Sequence, residues 1–252
     1  MSLTNKVITM KIKLKPLSLV AGAALLTLFP QQAFAMHIME GFLPPVWAGA
    51  WWLIYVPFLI LGLFQLKKIS ATGTDKKILL ALCAAFVFVL SSLKMPSVTG
   101  SCSHPTGVGL GVVMFGPWVM AVLGGIVLLF QALFLAHGGL TTLGANGMSM
   151  AVGGPVVGYA IWRIANRLKI RKDVGVFLCA FTADIATYFI TSIQLAGAFP
   201  DPQFGFMASA AKFMGIFCLT QIPIAIAEGL LTVIVYNIVV DRKIAPAEGF
   251  VR

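Results

Sequence analysis

The residues with the most chemistry in this 252-residue chain are Met36 and His37. They follow Ala33-Phe34-Ala35, a small-x-small site preceded by an apolar run from Leu17 to Phe29 and by Lys6, Lys11, Lys13 and Lys15. That is the layout of a cleavable secretory signal. Cutting after Ala35 makes residues 1–35 a leader and Met36 a new N-terminus. One metal ion could then be chelated by the Met36 α-amine, the His37 amide nitrogen and the His37 imidazole, in two fused, unstrained rings. If the apolar run is instead retained as a membrane helix, Met36 has no free amine and the chelate is lost. The run is shorter than the ~20 residues that a span requires, so cleavage is the expectation.

Two further histidines complete the set of three. His104 lies in the short, small-residue loop Gly100 to Gly107, stiffened by Pro105, and His137 lies in Ala136-His137-Gly138-Gly139. Either could add a fourth nitrogen to the flat chelate, and the loop position favours His104. Tetragonal nitrogen sites suit Ni(II), Cu(II) and, by relation, low-spin Co(II). Zinc prefers a tetrahedron, and magnesium or calcium an oxygen cage. His137 also reads as a helix C-cap, its imidazole meeting the last carbonyls and Gly138 taking left-handed geometry. His137, Asn146 and Cys102 are expected around the ion rather than on it. A Cys102 thiolate would select copper or zinc, and Met39 is either a weak axial thioether or packing.

These residues must be positioned inside a membrane. The chain is 59% hydrophobic and 10% charged, far from the ~25% charged of a soluble domain. The net charge of +10 would suggest nucleic acid in a soluble protein. Here the basic residues sit in short loops between apolar runs, where they set orientation, and no nucleic-acid partner is implied. Cys83, Cys102, Cys179 and Cys218 form no CxxC pair and read as small apolar residues, not a disulfide framework.

The apolar spans are Val46 to Leu66, Lys77 to Leu93, Thr106 to Gly116, Pro117 to Ala136, Met148 to Leu168, Val174 to Ala198 and Lys212 to Val240. The third and fourth are separated at Phe115-Gly116-Pro117-Trp118, because proline disfavours helix in the residue before it. Seven spans with an outside N-terminus place Lys67, Lys68, Lys76 and Lys77, then Arg163, Arg167, Lys169, Arg171 and Lys172, then Arg242, Lys243 and Arg252 inside. Six spans would put the second cluster outside, against the positive-inside bias. The expectation is an all-α membrane protein of seven spans, with the C-terminus cytoplasmic and the Thr106 to Gly116 span short and re-entrant. Residues 36–45 are its metal-binding segment, and all three histidines face outward. Pro44-Pro45 stiffens the tether between that segment and the first span. Trp47, Trp51 and Trp52 read as an aromatic belt, with Trp47 a candidate wall of the site. The many glycines read as sites of close helix approach.

An enzyme reading finds little support. The chain has no G-x-x-x-x-G-K-[ST] loop, no H-E-x-x-H and no Ser/His/Asp set of credible spacing. Asp184 and Glu228 fall inside apolar spans, where carboxylates are costly and suggest function. A proton- or sodium-coupled carrier would use them as its relay, but no inverted repeat or pair of matching discontinuities accompanies them. The other readings are hydrogen-bond partners within the bundle or, for the whole chain, a membrane metal sensor without transport.

The stretches Met36-His37-Ile38-Met39-Glu40-Gly41-Phe42-Leu43-Pro44, Lys94 to Gly107 and His137 to Asn146 together resemble the CbiM family, the cobalt-specificity subunits of energy-coupling factor (ECF) transporters. The similarity runs over nearly the whole chain after residue 35. It implies a seven-helix substrate-binding component of the cell inner membrane whose processed N-terminus enters the bundle and holds Co(II). The expected ligands are Met36, His37 and His104. It also implies a small membrane subunit, a transmembrane coupling subunit and a cytoplasmic ATPase as partners, feeding cobalamin synthesis. The related nickel subunits typically read Met-His-Ile-Pro-Asp-Gly, whereas Met39 and Glu40 stand here. Ni(II) is the alternative substrate.

Overall fold

The computed structural model describes residues 37–96, 102–247 and 249–250, except the side chains of Pro96 and Cys102. The expected leader and Met36 lie outside them. The elements are α1 (Pro45–Ser70), α2 (Thr74–Ser91), β1 (Met95–Pro96), β2 (Cys102–Ser103), α3 (Val108–Phe134), α4 (Leu143–Asn146), a π-helical turn (Gly147–Gly153), α5 (Gly154–Arg167), α6 (Lys172–Ala198) and α7 (Gly205–Asp241). The two short strands pair antiparallel, Met95 opposite Ser103. Helix α4, the π-helical turn and α5 follow one another without a break.

Proline starts α1 well: Pro44 holds an extended φ −53°, ψ 143°, and Pro45 is the first helical residue, where no amide hydrogen is needed. Helices α1, α3, α6 and α7 are each long and apolar enough to cross a membrane. Val46, Leu53, Phe64, Phe134, Met207 and Leu219 are exposed on the bundle surface, an outside suited to lipid rather than water. Cys83 and Cys179 are buried thiols and Cys218 an exposed one, none of them in a disulfide.

Helix α3 is not a rod. His104 and His137 flank it, yet their ring centroids are 4.9 Å apart, whereas a straight 27-residue helix would separate its ends by roughly 40 Å. The chain reverses at Gly116, whose φ 78° and ψ 174° belong to a region essentially reserved for glycine. Pro117 follows without an amide hydrogen to continue the ladder. The two arms, 108–115 and 117–134, pack so closely that a Cβ on Gly111 would collide with Met120. The break expected at Gly116-Pro117 is therefore a hairpin whose first arm and tip are buried among the other helices, while the end of its second arm is exposed.

The segment after α7 folds back beneath the tip of this hairpin. The Phe250 amide donates to the Met114 carbonyl at 2.8 Å, one of the acceptors released by the break. The Phe250 ring stacks on Phe115 with centroids 5.4 Å apart, and Tyr236 Oη donates to the Ala247 carbonyl at 2.7 Å. Gly249 has φ 69°, and a Cβ there would strike the Val113 carbonyl. Gly249→Ala is expected to cost about 1–2 kcal/mol through its left-handed backbone. Deleting residues 249–252 should cost about 1–3 kcal/mol by leaving the Met114 carbonyl buried and unpaired. Unchanged thermal melting of both variants in detergent would show that the tip does not depend on this seal.

Candidate metal centre

Three pieces of irregular backbone meet at one end of the bundle: the segment before α1, the loop between β2 and α3, and the loop between α3 and α4. Each supplies one histidine. His37, His104 and His137 are all buried, and a ring nitrogen from each lies within 4.8 Å of the others. The His37 ring centroid is 4.4 Å from that of His104 and 4.4 Å from that of His137. His37 Nδ1 lies 2.9 Å from His137 Nε2, and His37 Nε2 lies 3.1 Å from the sulfur of Met150 in the π-helical turn.

Burial pushes the His104 imidazole down to about 4 and the His137 imidazole down to about 3. The His37 imidazole is held well below its ordinary value by burial first and by its two imidazole neighbours second. All three are neutral at physiological pH and present lone pairs rather than charge. His104 Nδ1 donates to the Pro105 carbonyl at 3.0 Å, so its lone pair sits on Nε2. That Nε2 and His137 Nδ1 are buried without a hydrogen-bond partner. Buried ring nitrogens with unspent lone pairs, converging on a third imidazole, could hold a borderline transition-metal ion.

The loops are pinned from below and from the side. The Glu228 carboxylate on α7 accepts the Thr106 and Gly107 amides at 2.5 and 2.9 Å and the Thr106 hydroxyl at 3.0 Å. Gln221 Nε2 donates to both Asp184 oxygens, at 2.8 and 2.7 Å, and to the His104 carbonyl at 3.1 Å. Asn146 grips the residue after His37 on both sides: Oδ1 accepts the Ile38 amide at 2.8 Å, and Nδ2 donates to the Ile38 carbonyl at 2.9 Å. The Thr142 hydroxyl donates to that same carbonyl at 2.6 Å. Nearby, Glu40 accepts the Thr141 hydroxyl at 2.6 Å and amide at 3.1 Å, and these bonds lower its carboxyl below the usual value.

Several expectations change at this point. The His137 imidazole does not meet the last carbonyls of α3; its backbone amide donates to the Gln131 carbonyl at 3.1 Å, and the ring turns into the cluster. The thioether beside His37 is Met150, while Met39 is exposed. Trp47 packs against Gly197 of α6 rather than walling the site, and it is Trp52 Nε1 that reaches the site loop, donating to the Leu140 carbonyl at 3.2 Å. Cys102 lies in β2, but its side chain, like Met36, lies outside the described residues. Gln221, Thr142 and Met150 went unnoticed in the sequence. One methionine among eleven and a glutamine inside an apolar helix carry no local signal.

The family described as "Cobalt uptake substrate-specific transmembrane region", CbiM, matches residues 37–246. The chain belongs to the CbiM family. A Salmonella typhimurium protein named cobalt transport protein CbiM is 67% identical over 229 residues, covering 91% of this chain and 94% of its own. A Listeria seeligeri protein of the same name is 66% identical over 210 residues, covering 83% and 86%. Among solved structures, a truncated transition metal transporter superposes with a TM-score of 0.69 at 26% identity, over 82% of this chain and 99% of that one. The histidine cluster falls inside the matched region.

If Asn146 holds the N-terminal segment in place, Asn146→Leu leaves the Ile38 amide without its acceptor and the Ile38 carbonyl with the Thr142 hydroxyl alone, at a cost of about 1–3 kcal/mol. The Ile38 amide should then lose most of its protection from hydrogen exchange, and Asn146→Asp, which keeps the acceptor, should lose less. Equal protection in all three proteins would rule the clamp out.

Proposed function

We propose that this chain is the substrate-binding component of an ATP-driven ECF cobalt importer in the cell inner membrane. Its leader is removed after Ala35, and the Met36 amine, the His37 amide nitrogen and His37 Nδ1 chelate Co(II). His104 Nε2 completes the plane, with His137 and Asn146 beside it. The carrying observation is the buried imidazole cluster with unpartnered ring nitrogens, within a chain of the CbiM family.

The orientation in this reading rests on the positive-inside bias. The basic residues Lys67, Lys68, Arg167 and Lys172 lie at the ends of α1, α5 and α6, and the positive-inside bias puts those ends in the cytoplasm. Counting the two arms of α3 separately, the chain makes seven passes, one of them half-length, and the metal segment faces outward. Glu228 is engaged with the loop that carries His104, and Asp184 braces the Gln221 amide that bonds the His104 carbonyl, which favours a structural role over a proton relay. With no phosphate-binding loop in this chain, ATP is hydrolysed on another. The resemblance to ECF cobalt-specificity subunits implies a small membrane subunit, a coupling subunit and a cytoplasmic ATPase as partners, with the cobalt delivered feeding cobalamin synthesis.

Intact mass and metal content of the protein expressed with its leader, with Co(II) and Ni(II) offered together, test this reading. The expected product begins at Met36 and carries one Co(II), lost in His104→Ala. An uncleaved chain that still binds the ion would remove the terminal amine from the mechanism.

A further inference from the structure

Resting on that chelate, we propose that Met150 is a positioning residue: its thioether accepts the Nε2 proton of His37 and so reserves Nδ1 for the ion. Within one residue only Nδ1 can close a chelate ring with the amide nitrogen, because Nε2 lies on the far side of the imidazole. A neutral imidazole carries a single proton, and the ring binds correctly only if that proton sits on Nε2.

The contacts leave one consistent arrangement of protons. Met150 Sδ lies 3.1 Å from His37 Nε2, and a thioether has no proton to give, so Nε2 is the donor. His37 Nδ1 is then bare, and the 2.9 Å contact to His137 Nε2 must be donated by His137. That leaves His137 Nδ1 bare, a buried nitrogen without a hydrogen-bond partner. A sulfur at one edge of the cluster thereby sets the tautomers of two histidines.

Met150 reaches this position through the π-helical turn Gly147–Gly153. A π-turn adds a residue to the helix and rotates the residues beyond it by roughly 100° relative to an unbroken α-helix. The Ser149 hydroxyl donates to the Asn146 carbonyl at 3.1 Å, tying the turn to the residue that clamps Ile38. Tautomer and backbone placement of the chelating residue thus come from one stretch of chain. Metal-binding histidines more often donate their second N–H to a carboxylate or carbonyl, which raises ligand basicity. A thioether is a weak acceptor: it orients the ring without strengthening the bond to the ion, which suits a site whose cargo must leave.

The test uses full-length, leader-processed protein with ring-15N-labelled histidine. Long-range 1H–15N spectra of the metal-free protein should show His37 as the Nε2–H tautomer. Met150→Leu, similar in volume but with no acceptor, should give mixed tautomers and a roughly 10- to 100-fold weaker Co(II) affinity at an unchanged melting temperature. Met150→Gln, which restores an acceptor, should recover much of that affinity. An Nδ1–H tautomer in the wild type, or wild-type tautomer and affinity in Met150→Leu, overturns the proposal. So does equal loss in Met150→Leu and Met150→Gln together with lower melting temperatures, which would be packing. A sulfur ligand in the Co(II) X-ray absorption spectrum would make Met150 a ligand and overturn it as well. If processed wild-type protein binds no Co(II), the chelate reading itself fails, and the tautomer spectra still decide the role of Met150.

Discussion

A helix that stops part-way through an apolar bundle and turns back leaves polar backbone groups exposed at both ends, where no water can reach them. The first arm of α3 is such a helix, and the protein is arranged around satisfying it. At its start Glu228 accepts the Thr106 and Gly107 amides; at its tip Phe250 donates to Met114. A buried carboxylate facing a helix N-terminus meets aligned amides and the positive end of a dipole, so its placement in an apolar span is consistent with the apolar surroundings. The reversal has one geometric result: it returns the chain to the end where it started and brings His104 and His137 together.

The groups that hold the arm also hold the site. The Glu228 bonds fix the two residues after Pro105, and Gln221, braced by Asp184, fixes the His104 carbonyl. His104 therefore sits on a loop whose backbone is tied on both sides, while Asn146 and Thr142 do the same for the residue after His37. Irregular backbone held this way approaches the rigidity of a helix, which is what a preorganised coordination site requires.

Much of this was legible in the sequence because it rests on local chemistry. The apolar runs gave the helices, Pro117 marked the break, and the small-residue loops around His104 and His137 identified the candidate ligands. The reversal at Gly116 was expected from the charge parity of the loops, although its φ angle is one that the residue permits but does not dictate. Two features were hidden. Asp184 and Glu228 announced themselves as costly, but their partners are backbone groups and a glutamine 37 residues on, contacts that only the fold creates. Met150 depends on a π-helical turn, and the inserted residue leaves no mark in the hydrophobic pattern around it.

The destination of the carboxylates bears on selectivity. Among the described residues the cluster holds three imidazoles and no carboxylate, although two buried carboxylates stand close behind the same loop. Had either turned into the cluster, the site would have gained an anionic oxygen ligand of the kind that magnesium and calcium seek. With both spent on backbone amides and on Gln221, the donors left at the centre are neutral nitrogens. Hard, abundant cations gain little from these donors, whereas a borderline ion such as Co(II) is well served. The hydrogen bonds that stabilise the half-length arm thus also keep the carboxylate oxygens out of the imidazole cluster.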